Sequence, residues 1–347
     1  MKKWSYILLL MLLAATLVGC KSEESTTENN EETKTPVEDI EEKEEVIEET
    51  SGIVAPLTGV AVDEEITQRP VAVVINNDVK ARPQSGLHKA DVVVEVLAEG
   101  DITRLIALYQ SELPVKVGPV RSARDYFIDI VKPYNAIFVA HGWSPAAKQR
   151  LEAGELNSIN GMLYDGTLFK RASFRQAPHN SYITFENIEK GAEQLGFTMD
   201  GETAPHLFLS NGEEQSINGV EISKVKINYS SRLVAQVAYE YSKEDGHFKR
   251  YSGGEITTDL ETEEEVVTHN IFIMETSHKV VDNAGRREIN LIDGGRAVLI
   301  QNGKRYELEW ASDNGRFVPM KDGQPVPFTR GKTWINIVPS LDNVHYE

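Results

Sequence analysis

Apolar residues fall along this chain in two kinds of run, and the change from one to the other near residue 205 organises the reading. Val71-Ala72-Val73-Val74-Ile75 is continuous and stops at Asn76-Asn77-Asp78, as a strand buried on both faces does. Asp91 to Leu97 and Ile102 to Tyr109 are two more such runs. The short polar turn Glu99-Gly100-Asp101 joins them, which predicts an antiparallel hairpin. Ser122 to Val131 has helical spacing, with Ser122 as candidate N-cap and Pro133 just past the end. Asn135 to Ala140 predicts a fourth strand, and Ser144-Pro145 opens a helix through Leu151 with proline at its first position. A last helix runs from Phe185 to Leu195, capped by Thr184 and stopped by Gly196. A mixed sheet covered by helices is the simplest packing of this order, an α/β (α+β) domain.

After Pro205 helical spacing nearly vanishes. Short β-rich runs follow, among them Gly219 to Ile227, Leu233 to Tyr241, Val266 to Met274, Arg287 to Leu291 and Trp334 to Val338. Asn302-Gly303 between Ala297-Gln301 and Lys304-Trp310 is a strong two-residue hairpin signal. This predicts a smaller β-rich C-terminal domain, with the boundary placed near Gly254, so that residues 52–253 form the α/β part and residues 254–347 the β-rich part.

The first 51 residues read differently. Lys2 and Lys3 precede the apolar run Tyr6 to Val18, which ends in Leu17-Val18-Gly19-Cys20, a secretory layout closed by cysteine instead of a small-residue cleavage site. It resembles a bacterial lipobox. That resemblance implies a signal peptide over residues 1–19, cleavage before Cys20, diacylation of Cys20 (palmitate-type chains) and a stable two-chain anchor on the outer face of the cell membrane. Residues 21 to 50 hold 13 Asp or Glu against 3 Lys and no aromatics, a net −10 of the formal −18, so residues 20–51 read as a disordered acidic tether.

Compartment and composition narrow the chemistry. Outside the membrane there is no routine supply of ATP or nicotinamide, and neither a phosphate loop nor a dinucleotide turn occurs, so no cofactor is expected. Cys20 is the only cysteine, and its acylation excludes disulfides, a thiol nucleophile and a cysteine-ligated metal; no metal site is expected. The acidic balance argues against nucleic acid.

The polar residues between Asn76 and Asn180 carry what chemistry there is. Gly118-Pro119-Val120-Arg121-Ser122-Ala123-Arg124-Asp125 places two arginines three apart at a helix opening, where guanidinium forks suit carboxylate or phosphate. Alternatively, they pair with Glu95, Glu99 or Asp125 as structural struts. Arg104 is set among the apolar residues of the third strand. Phe169 to Asn180 mixes Lys170, Arg171, Arg175 and His179 with two aromatics in a segment without strand or helix periodicity, suited to anionic groups and sugar rings or, equally, to a pinned surface loop. His141 follows a strand, where α/β domains place ligand groups; it and Asp125 are the candidate bases, and a satisfied structural histidine is the competing reading. Asn77 and Arg82, after the first strand, could reach the same edge or serve only the turn there. Glu95 and Glu99 are the candidate orienting carboxylates.

These residues also carry a resemblance. Arg69-Pro70-Val71-Ala72-Val73, Ala81-Arg82-Pro83-Gln84-Ser85-Gly86-Leu87, Ala90-Asp91-Val92-Val93-Val94-Glu95, Gly118-Pro119-Val120-Arg121-Ser122-Ala123-Arg124, Ala177-Pro178-His179-Asn180 and Gly331-Lys332-Thr333-Trp334-Ile335 resemble the YerB-type bacterial lipoproteins. The resemblance implies paired N- and C-terminal domains and an extracytoplasmic location, and transfers no activity.

Three functions follow as expectations. The first is binding of an anionic envelope ligand, a glycan or phosphate-bearing wall polymer, in a cleft formed by Arg104, Arg121, Arg124, Arg175 and His179. The second is an enzyme acting on envelope glycopolymer or a lipid-linked precursor at the same cleft. The third is a non-catalytic scaffold that docks an envelope protein through the C-terminal aromatics Tyr306, Trp310, Phe317, Phe328 and Trp334.

Overall fold

The structure, a computed structural model, describes residues 52–283 and 285–347. The lipobox, Cys20 and the acidic tether lie outside the described residues.

The first strand, β1 (Val71–Asn76), shows why its sequence does not alternate. Val71, Val73 and Ile75 enter one hydrophobic cluster, and Ala72 and Val74 enter a second on the opposite face. Both faces are covered, so every position from Val71 to Ile75 is 0–1% exposed. At roughly 1.5–3 kcal/mol per buried Val or Ile side chain, such a strand fixes its own depth in the molecule. The expected hairpin forms from β2 (Val92–Glu99) and β3 (Ile102–Tyr109), antiparallel. β3 also pairs antiparallel with β1.

After a short β4 (Lys116–Val117) comes helix α1, which begins three residues later than the spacing predicts. It spans Asp125–Val131 with Arg124 as N-cap, and Ser122 does not cap it. The cause is tertiary. Arg121 N–H bonds to Val74 O, and Ala123 N–H to Gly142 O, holding residues 119–123 extended against neighbouring strand ends. β5 (Ile137–Ala140) pairs parallel with β1. Helix α2 (Pro145–Glu152) has Ser144 as its N-cap, with Ser144 Oγ accepting from Ala147 N–H. β6 (Ser158–Asn160) pairs parallel with β5, and a single turn, α3 (Gly161–Tyr164), follows. The segment expected to lack periodicity is instead paired at both ends: β7 (Phe169–Arg171) and β8 (Ser181–Thr184) form a hairpin around residues 172–180. Helix α4 spans Phe185–Leu195, with its Thr184 N-cap and its Gly196 terminus in the left-handed region, as predicted.

The β-rich half does not build a separate sheet alone. Its strands Asn270–Glu275, Gly295–Gln301, Lys304–Asp313, Arg316–Lys321 and Thr333–Val338 extend the sheet of the first half into twelve strands. The junction is parallel pairing of Thr333–Val338 with β2, from Val92 opposite Thr333 to Val96 opposite Ile337. Strands Lys224–Asn228, Gln236–Ser242 and His247–Ser252 belong to a second sheet of six strands. Asn302-Gly303 turns the predicted hairpin, both residues at positive φ. Residues 52–347 form one compact unit, and no described helix is long and apolar enough to cross a membrane.

Tyr306, Trp310, Phe317, Phe328 and Trp334 are all 5% exposed or less. Their large apolar surfaces went into the core, so they are not available as docking anchors.

Candidate functional site

In the large sheet β1, β5 and β6 run parallel in that spatial order, while β3 and then β2 lie on the other side of β1. The chain therefore leaves β1 toward β2 on one side and returns toward β5 on the other. In open α/β sheets the switch point, beyond the carboxyl ends of the strands, is where ligands bind. Here residues 119–123 occupy that position. Asn76 N–H bonds to Pro119 O, Arg121 N–H to Val74 O, and His141 N–H to Arg121 O. Arg121 is thus pinned through both backbone groups between the ends of β1 and β5.

Its side chain is different. The Arg121 guanidinium is half-buried, and among the described residues it has neither an ion pair nor a hydrogen bond. Burial pushes its proton affinity down, and only the nearby Asp78 carboxylate pulls it back. Arg104 lies close enough to repel it, and that repulsion together with burial lowers the Arg104 pKa to about 9, burial being the larger cause.

Arg104 and Arg124 are satisfied. Arg104 Nη2 donates to both Glu99 oxygens at 2.9 and 2.7 Å, and Arg104 Nη1 donates to Ser122 O. Arg124 pairs with the same Glu99 carboxylate and donates to Ala123 O at 2.8 Å, leaving its buried Nε without a partner. Glu99 holds two of the arginines, as an orienting carboxylate should. Glu95 does not. It is fully buried, accepts from Asn77 Nδ2 and Thr103 Oγ1, and pairs at 2.8 Å with Arg250, whose guanidinium lies over Trp334. Glu95 was expected beside the cluster because residues four apart on β2 should share a face with Glu99, but the bulge between Leu97 and Glu99 turns Glu99 away, and the partner of Glu95 comes from the second sheet.

Asn77 and Arg82 also face elsewhere. Arg82 Nη2 donates to Asn77 O at 2.7 Å and to Val234 O at 3.1 Å, and burial lowers its pKa to about 10. Both line a cavity of about 60 Å³ shared with Asp101 and Arg232, apart from Arg121. Arg175 is tied to Tyr182 Oη (2.6 Å) and Pro83 O (2.7 Å). Asp125 opens α1, next to Arg124.

The histidines have definite protons. Asn76 Oδ1 accepts from Asp78 N–H, so Asn76 turns its amide NH2 toward His179 Nδ1 at 3.0 Å. Nδ1 must then accept, and the His179 proton sits on Nε2. At His141, Arg171 Nη2 is 2.9 Å from Nε2 and can only donate, so the proton is on Nδ1, which gives it to Ser181 Oγ at 2.7 Å. Burial is the larger cause that lowers both pKa values, and Arg121 lowers both further; both rings are neutral at neutral pH. Asp165, His141 and Ser181 have the order of an acid, a base and a nucleophile. However, Ser181 is only 1% exposed, and Arg171 stands between Asp165 and the imidazole with a 2.9 Å bond to each. Both ring nitrogens of His141 are therefore occupied.

Sequence reasoning missed Asn76, Asp165 and Ser181 as organising residues, and counted Arg171 only among the cations of its segment. Asp165 and Arg171 are six apart, a spacing that becomes informative only once the turn at residues 165–169 folds Asp165 back beside β7. Among the described residues no group of three or more His, Cys, Asp or Glu is placed to hold a metal ion.

Comparison with known proteins shows which family the chain resembles. Residues 57–198 match the family model described as "Protein of unknown function (DUF3048) N-terminal domain", and residues 225–335 match the corresponding C-terminal domain. The chain is 45% identical over 344 residues to the protein named "Putative lipoprotein YerB" of Bacillus subtilis (strain 168), covering 99% of this chain and 97% of that one. The crystal structure of the YerB protein from Bacillus subtilis superposes with a TM-score of 0.80 at 49% identity, covering 85% of this chain and 99% of that one.

Proposed function

The chain belongs to the DUF3048 family, whose N- and C-terminal domains it carries in order, and from that premise we propose an extracytoplasmic lipoprotein that captures a phosphate-class anion of the cell envelope at Arg121. The name of the Bacillus subtilis relative and the lipobox ending at Cys20 support the anchor. One observation carries the ligand reading: a half-buried guanidinium, fixed at the sheet's switch point, with no partner among the described residues. Arginine is kept charged at neutral pH, and a half-buried guanidinium with no bonded partner is poorly compensated, so this position has room for an anion. Asp78 is near but bonds its own turn, through Oδ1 to Lys80 N–H. His179, with its proton on Nε2, supplies a neutral second donor at the same end.

Phosphate suits the site because the guanidinium fork binds two of its oxygens at once. The test is equilibrium binding of a water-soluble poly(glycerol phosphate) fragment, with an uncharged glycan fragment as comparison. Arg121→Gln should weaken phosphate binding by about 10- to 100-fold, the worth of a charge-assisted hydrogen-bond pair, and leave the melting temperature no lower than the parent's. Equal binding by parent and variant, or a preference for the uncharged glycan, would sink the proposal.

A further inference from the structure

A second guanidinium, far more deeply buried, also has no carboxylate bonded to it among the described residues. Arg316 opens the strand Arg316–Lys321 and is 8% exposed. Its Nη1 donates to Ala204 O at 2.8 Å, and the Tyr134 ring covers its face, with the guanidinium carbon 4.0 Å from the ring centroid. The Tyr134 ring lies 6.0 Å from that of His206, which packs against Phe328 at 5.4 Å. Three buried polar side chains from distant parts of the sequence therefore form one cluster. Four of their atoms have no hydrogen-bond partner: Arg316 Nε and Nη2, Tyr134 Oη and His206 Nε2. Tyr134 Oη is near the guanidinium but does not meet the geometry of a hydrogen bond to it.

Nε and Nη2 share one edge of the guanidinium, and their N–H groups point the same way. Elsewhere in this molecule that edge grips a carboxylate: Arg150 holds Glu155 through it at 2.9 and 2.8 Å, and Arg296 holds Glu275 at 3.0 and 2.6 Å. Arg69 and Arg82, which have no carboxylate, still bond Nε to the carbonyl oxygens of Asn135 and Asn77. Among the described residues Arg316 is the only arginine whose Nε and Nη2 are both buried and unpartnered. A buried charge with unmet donors is costly. Water would offer this edge lone pairs and no charge, whereas an anion offers both. Burial, and then the charge of Arg316, hold His206 far below its ordinary pKa, so its ring is neutral and the cluster carries a single positive charge.

We propose that this cluster holds a small monovalent anion of chloride's size, gripped by the Nε and Nη2 edge of Arg316 with Tyr134 Oη and His206 Nε2 as further donors. The site is separate from Arg121 and independent of that reading. One positive charge matches one negative charge, and side chains this buried admit an ion rather than a polymer. Tyr134 lies in the N-terminal family region, Arg316 in the C-terminal one and His206 in the segment between them. The bound anion thus ties the two regions together, and because it binds only the folded chain it stabilises the fold in step with its occupancy.

The test uses a non-acylated chain beginning at residue 21, which contains the whole compact unit. It is crystallised from sodium bromide, and the anomalous signal of bromide is the readout. A bromide peak within hydrogen-bond reach of Arg316 Nε and Nη2 is expected. In solution, chloride binding is followed by chlorine-35 line broadening. Tyr134→Phe, which removes only a hydroxyl, should weaken it by about fivefold, and Arg316→Met by about 10- to 100-fold, the worth of a neutral and of a charge-assisted hydrogen bond. Arg316→Met also loses the bond to Ala204 O, so the bromide crystal and Tyr134→Phe decide the matter if that variant does not fold. An ordered water at Arg316 without a bromide signal, bromide confined to the protein surface, or chloride binding by Tyr134→Phe equal to the parent's overturns the proposal.

Discussion

Among individual residues, the informative contrast is between arginines that are paired and one that is not. Arg104 and Arg124 share Glu99, and Arg250 is buried against Glu95; among the described residues Arg121 alone of these four has no carboxylate bonded to it. Removing one member of a fully buried pair strands the other. Arg250→Met should therefore cost about 3–5 kcal/mol in urea denaturation, with part recovered in the Glu95→Gln, Arg250→Met double variant. Loss of less than 1 kcal/mol would mean that Glu95 is not held as described. Titration gives a second check. Burial, with Arg287 nearby, lowers the His278 pKa to about 4, and burial, with His247 and Lys332, lowers His269 to about 4. Unfolded histidine takes its proton near 6.5. The unfolded state then binds more protons between those values, so stability is full above about pH 6.5 and declines as pH falls toward 4. His278→Gln should flatten that decline in denaturation midpoints measured from pH 7 to 4; an unchanged slope would show that His278 is not buried neutral. At this scale the sequence was partly legible. Arg104, Arg121, Arg124 and Glu99 announce themselves as charges beside strand ends, but the 155 residues between Glu95 and Arg250 conceal their pairing completely.

Local elements follow their signals wherever the chain decides its own conformation. Thr184, Gly196 and the apolar stripe between them define α4, and Ser144-Pro145 defines the start of α2, because caps and first-turn proline act within a few residues. The Asn302-Gly303 hairpin is equally local. Gly303 has a φ of +69°, and a Cβ there would lie 2.6 Å from the Tyr241 ring. Gly303→Ala should accordingly destabilise the protein by about 1–2 kcal/mol or more, the cost of left-handed backbone plus the contact. A melting temperature equal to the parent's would contradict that placement. Helix α1 is where local reasoning fails. Residues 122–124 have helical spacing but are drawn into extended form by hydrogen bonds to the ends of β1 and β5, and the same bonds set Arg121 at the switch point. The mismatch between spacing and structure marks the candidate site.

Taken whole, the molecule is tied together by one sheet that runs through both family regions. Thr333–Val338 lies between β2 and Asn270–Glu275, and Trp334 covers Arg250 within the core. The change of composition near residue 205 is visible in the sequence; the parallel pairing of β2 with a strand some 240 positions later is not, since both read simply as buried β runs. A chain ending at residue 253 loses that strand and exposes the apolar edge of β2. It should lack a cooperative melting transition by circular dichroism, and a sharp transition near the parent's would refute the dependence.

The central claim is that Arg121 awaits a phosphate. It is tested most directly by following the side-chain Nε–Hε signals of nitrogen-15-labelled arginine during titration with poly(glycerol phosphate). The Arg121 signal, assigned by its absence in Arg121→Gln, should move saturably, while those of Arg250 and Arg296, bonded to carboxylates elsewhere in the molecule, stay in place. An Arg121 signal that remains fixed through saturation, or that moves no more than theirs, would contradict the account.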